Sequence, residues 1–125
     1  MSTSTNTLRL LSQYKIRLKE LNKHKKDLLK RKFNRYHKLV HVIASILYKD
    51  YKVKKVYLIG SLLNFQYFHQ RSDLDIAVEG LDPALYFKAF LEIESLVDGE
   101  PFHLIDLKDV SDAFAMKITE KGKLL

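Results

Sequence analysis

The sequence has no cysteine and no tryptophan, and only four glycines and two prolines among its 125 residues. Without cysteine, the chain has no disulfide scaffold, no cysteine-ligated zinc site and no cysteine nucleophile. So few glycines and prolines also exclude a low-complexity or collagen-like chain. Apolar residues make up 46% of the chain and charged residues 30%, which is typical of a globular protein. The length fits one domain with little room for a second.

Long hydrophobic runs are also missing. The longest apolar stretch, residues 39–48, is interrupted by His41 and Ser45, and it is much shorter than the roughly 20 residues that cross a bilayer. Residues 1–7 are polar and no apolar segment follows them, so no secretory signal is visible. We therefore expect a soluble, cytoplasmic protein.

Positive charge is concentrated in the first part of the chain. Residues 1–56 contain 16 Lys and Arg against three Asp and Glu, whereas residues 57–125 contain six against 12. This asymmetry indicates a basic arm attached to an acidic body. One interpretation of the arm is RNA binding, because clustered Lys and Arg neutralise phosphates. The others are a solvated helix face and a surface that docks an acidic partner.

Residues 8–51 contain no Gly and no Pro, and apolar residues recur in them every three or four positions. This spacing is typical of an amphipathic helix. Lys25 takes an apolar position, so the segment is either one long helix or two helices with a break near residues 22–26. We predict a basic helical extension over residues 1–37, which packs on a partner or on another copy of the chain, or folds back onto the body.

The remaining residues, 38–125, alternate β-rich runs with helical segments. Strands are predicted at residues 53–59, 74–78 and 101–107. One helix is predicted to begin at Asp82-Pro83, since both residue types are typical of helix starts, and another to begin after Ser111. The order predicts an α/β (α+β) domain with a small mixed β-sheet packed by helices.

One segment of this domain carries the chemistry: Gly60-Ser61 at a strand end, a loop of ten residues, and then Ser72-Asp73-x-Asp75. Carboxylates at positions i and i+2 of a strand project from the same face. They repel each other unless a cation bridges them, and Mg²⁺ or Mn²⁺ suits such oxygen ligands together with substrate phosphates. Gly60 permits a tight turn, so that backbone N–H groups and the Ser61 hydroxyl can contact phosphate oxygens.

Residues 56–78, VYLIGSLLNFQYFHQRSDLDIAV, resemble the motif of the DNA polymerase β superfamily of nucleotidyltransferases, and most closely the minimal nucleotidyltransferases. The likeness covers about residues 38–125 and implies the nucleotidyltransferase fold. It implies that Asp73 and Asp75 are catalytic and hold two divalent ions, Mg²⁺ or Mn²⁺, against the triphosphate of ATP.

The same resemblance implies that Gly60 and Ser61 contact the β and γ phosphates of the nucleotide. Ser72 belongs to the motif and is a further candidate for nucleotide binding. Arg71 is another candidate, because its guanidinium could meet a phosphate, although a surface arginine without a role is the alternative. Many relatives carry an arginine soon after Gly-Ser, whereas this chain has Leu62 and Leu63 there.

A third carboxylate, on the next strand, completes the metal site in the family. Residues 102–107 allow two registers: one makes Asp106 the third catalytic residue and metal ligand, and the other places His103 there. In a regular strand these two side chains face opposite sides. We prefer Asp106, because a carboxylate is the better ligand for a hard metal, whereas a histidine at this position makes catalysis doubtful.

The resemblance implies a nucleotidyltransferase that moves a nucleoside monophosphate, AMP from ATP, to a hydroxyl on a protein or nucleic acid. Minimal nucleotidyltransferases often act as antitoxins of a helical HEPN-type toxin, so the acceptor could be a tyrosine of such a partner. The alternative is an inactive binding module with the same fold. Such a module would mask a protein partner, form homo-oligomers through the N-terminal helix, or bind RNA through that helix.

Overall fold

The structure, a computed structural model, describes the chain from Ser2 and its side chains from residue 5. Residues 2–125 form three α-helices, α1 (Ser2–Asp50), α2 (Tyr86–Val97) and α3 (Asp112–Lys121). They also form four strands, β1 (Lys55–Ile59), β2 (Leu74–Glu79), β3 (Phe102–Asp106) and β4 (Lys123–Leu124). The chain divides into two compact units, residues 1–32 and residues 33–125.

The described part of the first unit is entirely helical. Helix α1 continues without interruption through residues 22–26, so one long helix is the correct one of the two sequence expectations. All side chains of residues 5–28 are exposed. The pattern of apolar residues therefore predicted a helix correctly, but this part of the helix has no covered face.

The second unit is built on a mixed four-stranded sheet with the order β3-β2-β1-β4. Strand β1 runs antiparallel to both β2 and β4, whereas β2 and β3 are parallel. The sheet confirms the predicted α+β class. Strand β4 was not predicted, because a pair of residues is too short to produce an alternating pattern.

The two faces of the sheet differ in how they are covered. One face is the main core, and its fully buried residues include Leu58 and Ile76. The buried side chains of α1 and α2 belong to this core, including Ile43 and Ile93. The other face packs on α3 through a small cluster around Tyr57, Ala77 and Ile118. Since a short helix covers only part of a sheet, part of this second face is left accessible.

Capping residues mark the predicted helix starts. The Asp82 carboxylate accepts a hydrogen bond from the Ala84 N–H, and the Ser111 hydroxyl accepts one from the Phe114 N–H. The first of these helices begins with a 3₁₀ turn, Pro83–Leu85, before α2. No helix in residues 2–125 is both long and apolar enough to cross a bilayer.

Candidate functional site

Three side chains that can bind a metal meet where β2 and β3 run side by side. Asp75 of β2 lies opposite His103 of β3 in the parallel register, and Asp73 immediately precedes β2. The His103 Nδ1 atom is 2.8 Å from Asp75 Oδ1 and 3.6 Å from Asp73 Oδ2. One ligand atom from each residue lies within 4.8 Å of the others. We call these residues the Asp–Asp–His group.

The Asp–Asp–His group is open to solvent. The side chains of His103, Asp73 and Asp75 are 61%, 36% and 28% exposed. An imidazole between two carboxylates can offer a proton to one of them or, when neutral, a nitrogen lone pair to a cation. The three side chains can therefore reach a ligand without a change in the surrounding core.

Gly60 brings the end of β1 against this group. Its φ of +80° lies in the left-handed region, and a Cβ at this position would lie 2.8 Å from Asp75 Oδ2. Any larger residue would therefore clash with the carboxylate as well as strain the backbone. Ser61 follows in the same 3₁₀ turn, Gly60–Leu63. The His37 ring nitrogen Nε2 fixes the turn through a hydrogen bond of 2.9 Å with the Leu62 carbonyl.

A cleft of about 400 Å³ lies between this turn and α3. Its walls are mostly apolar, with Ile105 and Phe114 among them, and Asp75 lies at its edge. Two lysines one helical turn apart, Lys117 and Lys121, also line the cleft. Sequence reasoning missed both lysines, because a lysine pair on a polar helix also fits a solvated face. Only their i, i+4 spacing indicated that the two side chains lie on the same face of a helix.

The structure does not bring Asp106 into the group. Asp106 lies opposite Val78 in the register, whereas His103 lies opposite Asp75, and residues three apart on a strand point to opposite faces. Asp106 is also buried, and its carboxylate accepts a hydrogen bond from the Lys108 N–H at the start of a 3₁₀ turn. The preferred register was therefore wrong, and the alternative with His103 is the observed one.

The two candidate nucleotide-binding residues of the loop before β2, Ser72 and Arg71, have different surroundings. Ser72 is only 3% exposed, and its hydroxyl accepts a hydrogen bond from the His69 N–H. The hydroxyl therefore closes the loop and is not presented to a ligand, which corrects its assignment to nucleotide binding. Arg71 is exposed, and within the described residues it forms no ion pair with Asp73 or Asp75.

Two tyrosines fix the elements around the group. Burial raises the pKa of Tyr86, with smaller contributions from Asp109 and Asp106, and its hydroxyl donates to the Leu104 carbonyl next to His103. Burial also raises the pKa of Tyr36, and its hydrogen bond to Glu100 raises that pKa further. Both hydroxyls are protonated donors at neutral pH, so they act as structural anchors.

Comparisons with known proteins agree with this geometry. The family described as "Polymerase beta, Nucleotidyltransferase" matches residues 41–125. A search of curated proteins finds no match. Among solved structures, a mutant of the toxin–antitoxin MntA–HpeT is similar, with 26% identity and a TM-score of 0.53 over 68% of this chain and 70% of that chain.

Two further crystal structures are similar to this chain. A toxin–antitoxin with AMP-PNP has 28% identity and a TM-score of 0.52, over 66% of this chain and 68% of that chain. The toxin–antitoxin MntA–HepT has 24% identity and a TM-score of 0.51, over 70% of this chain and 69% of that chain, and it supports the fold alone. The family match covers more than half of the chain and includes the Gly60 turn, both aspartates and the cleft. The chain belongs to the polymerase β family of nucleotidyltransferases.

Proposed function

We propose that this protein is a metal-dependent nucleotidyltransferase that moves AMP from ATP to a hydroxyl group of a partner protein. The observation that carries the proposal is the Asp–Asp–His group, whose Asp75 contacts the Gly60 turn and lines the same cleft as Lys117 and Lys121. The family supports the reaction class. The similarity to a toxin–antitoxin structure with AMP-PNP supports an adenine nucleotide as the substrate.

The residues of the Asp–Asp–His group fit a divalent metal ion. Two carboxylates and one imidazole, with ligand atoms within 4.8 Å of one another, form a donor set that Mn²⁺ and Mg²⁺ both accept. The imidazole favours Mn²⁺. A bound ion would supply charge neutralisation for the phosphates at the reacting centre. Asp73 and Asp75 would hold it, with His103 as the third ligand.

The cleft residues would bind and orient the nucleotide. The ammonium groups of Lys117 and Lys121 offer positive charge to phosphate oxygens. Phe114 and Ile105 offer apolar surface to a base, and this surface excludes water from one side of the cleft. The absence of a side chain on Gly60 leaves room for a phosphate to approach the backbone beside Asp75.

The partner that we propose is a helical HEPN-type toxin, with a tyrosine hydroxyl as the acceptor. Support comes from the similarity to toxin–antitoxin structures, of which the mutant MntA–HpeT structure and the AMP-PNP structure exceed 25% identity. The second unit, residues 33–125, is small, so a separate protein would have to present the acceptor. A cytoplasmic location fits this role and is part of the proposal.

His103 favours a second candidate function, an inactive module that binds the nucleotide or a partner without transfer. A neutral imidazole supplies no negative charge, whereas the family uses a third carboxylate to complete a metal site and to help activate the acceptor. Replacing His103 by aspartate therefore separates the two candidates. The substitution restores a third acid directly opposite Asp75 in the register.

The experiment measures ATP binding by calorimetry with Mg²⁺ and with Mn²⁺, and then AMP transfer to a purified HEPN-type toxin. We expect wild-type protein to bind ATP only with a metal. We expect Asp73→Asn to weaken binding by about tenfold or more, since loss of even an outer partner of a metal ligand costs roughly 10–100-fold. The matched control is Asp109→Asn, which removes an exposed carboxylate outside the group.

Each outcome decides between the candidates. Transfer by wild-type protein that His103→Asp does not increase supports the enzyme. Transfer that appears only in His103→Asp supports the inactive module. If wild-type protein binds no ATP with either metal while Asp109→Asn and wild type unfold alike, the nucleotide site is refuted.

A further inference from the structure

The first half of α1 exposes far more apolar surface than a monomer normally leaves in water. Eight large apolar side chains in residues 8–28 are between 40% and 66% exposed: Leu8, Leu10, Leu11, Tyr14, Ile16, Leu18, Leu21 and Leu28. Leu11, Tyr14, Leu18, Leu21 and Leu28 share one face of the helix. Single exposed apolar residues are common, but an exposed stripe of this length marks an interaction surface. The family match begins only at residue 41, so this surface lies outside the matched domain.

The charges beside this stripe argue against pairing with the same helix of another copy. Residues 11–28 follow a heptad seam in which Leu18 and Lys25 occupy equivalent positions. The positions flanking the seam hold basic residues, including Arg17 and Arg31, and no acidic residue. Two such helices side by side would place like charges together and would bury Lys25 without a counter-charge, both of which are unfavourable.

The nucleotidyltransferase domain carries a surface with the complementary character. The outer face of α2 has two exposed apolar residues, Phe87 at 69% and Leu91 at 49%. The same face continues into the exposed Glu94, and the exposed Asp98 follows the end of the helix. Neither carboxylate forms an ion pair within the described residues. Phe102 and its neighbours extend this face into a groove of about 580 Å³.

The two surfaces match in spacing and in direction. Leu18, Leu21 and Lys25 lie on one face of the basic helix, and Phe87, Leu91 and Glu94 lie on one face of α2, each set spanning two helical turns. In each set two apolar residues precede one charged residue, and the two charges are of opposite sign. A parallel alignment of Leu18 with Phe87 places Leu21 beside Leu91 and Lys25 beside Glu94, which gives the seam lysine a partner.

We propose that residues 8–28 of one copy of the chain dock on the acidic, aromatic face of α2 in a second copy. Reciprocal docking across a twofold axis forms a closed dimer, in which the docked part of each basic helix is covered. The apolar seam distinguishes this occupant from RNA, since a phosphate backbone neutralises lysines but leaves leucines in water. This inference stands apart from the proposed reaction, because it uses no residue of the Asp–Asp–His group.

The experiment is sedimentation equilibrium of the full chain over a concentration series. We expect a dimer, and we expect Lys25→Glu and Glu94→Lys each to raise its dissociation constant by about tenfold, because each places like charges together. The double variant Lys25→Glu/Glu94→Lys restores opposite charges, and its dissociation constant returns towards the wild-type value. Matched controls are Lys23→Glu on the opposite side of the helix and Glu120→Lys on α3, which leave the dimer unchanged.

Two results would overturn the proposal. If the protein is monomeric at every concentration, the basic helix instead binds RNA or another protein. A dimer that weakens with Lys25→Glu but not with Glu94→Lys, and that the double variant does not restore, pairs through some other surface. Both single substitutions lie at exposed helical positions, and circular dichroism checks that each variant is folded.

Discussion

The two halves of α1 share one apolar pattern but have opposite burial. Leu11 and Leu18 in the first half are 50% and 40% exposed, whereas Tyr36 and Ile43 in the second half are completely buried. Both halves repeat apolar residues every three or four positions, so the pattern establishes helix and amphipathic face in each case. The pattern alone does not say whether or by what the face is covered.

The largest expected effect is the loss of stability when a core side chain of the buried half of α1 is truncated. Ile43→Ala removes a fully buried side chain and should lower the free energy of unfolding by about 2–5 kcal/mol, since the core closes only partly over the cavity. Urea denaturation followed by circular dichroism measures the change. A loss below about 1 kcal/mol would mean that the sheet does not depend on α1 for its core.

The next effect is on alkaline stability and concerns Tyr51, the residue that follows the buried half of α1. Burial and then a hydrogen bond to Glu92 raise the pKa of Tyr51 to about 12. The stabilisation from protonated Tyr51 is complete below about pH 10 and is lost as the pH rises through about 12.

The free energy of unfolding of the wild-type protein should therefore fall by about 2 kcal/mol between pH 10 and pH 12 because of this residue. Tyr51→Phe should be less sensitive to alkali over this range, although Tyr36 and Tyr86 keep their own dependence. Urea unfolding at a series of pH values measures both curves. If the curves of the variant and the wild type run parallel above pH 10, Tyr51 does not carry the effect.

A smaller effect compares one tyrosine from each half. The Tyr36 hydroxyl donates to Glu100, which also pairs with Arg35, whereas Tyr14 is 60% exposed. Tyr36→Phe should lower the free energy of unfolding by about 1.5 kcal/mol, the lower end for a hydrogen bond to a charged group, and Tyr14→Phe should change it by nothing measurable. Thermal unfolding of both variants tests this, and equal losses would contradict the difference in burial.

The smallest effect concerns the exposed half alone. Leu18→Ala should change the free energy of unfolding by less than about 0.5 kcal/mol in dilute solution, because surface substitutions seldom cost more. The same variant should weaken the proposed dimer at higher concentration. A large loss in dilute solution would show that the exposed half is already covered there.

The sequence predicted that Asp73 and Asp75 lie close together, because a two-residue spacing in extended chain directs both side chains to one side, even though Asp73 lies just before β2. It also predicted the Gly60 turn and the mixed sheet. The sequence left the third member of the Asp–Asp–His group open, since the choice between His103 and Asp106 depends on how β3 aligns with β2. A parallel pair of strands joined by a helix has no turn that sets this register.

Other parts of the site had no local signal at all. Lys117 and Lys121 line the cleft only because α3 packs across the second face of the sheet. The burial of Ser72 likewise depends on how its loop closes on the His69 backbone. These features follow from tertiary packing, which residue type and spacing do not encode.

Strand β4 has a consequence for motion. It pairs with β1 through Tyr57 and Leu58 only, and the Leu125 N–H adds a hydrogen bond to the Val56 carbonyl. Because β4 follows α3 directly, this short pairing is the tether that holds the C-terminal end of α3. A tether of so few hydrogen bonds opens more easily than the central strands. We expect the amides of residues 122–125 to exchange with deuterium before those of β2, and each opening to widen the cleft.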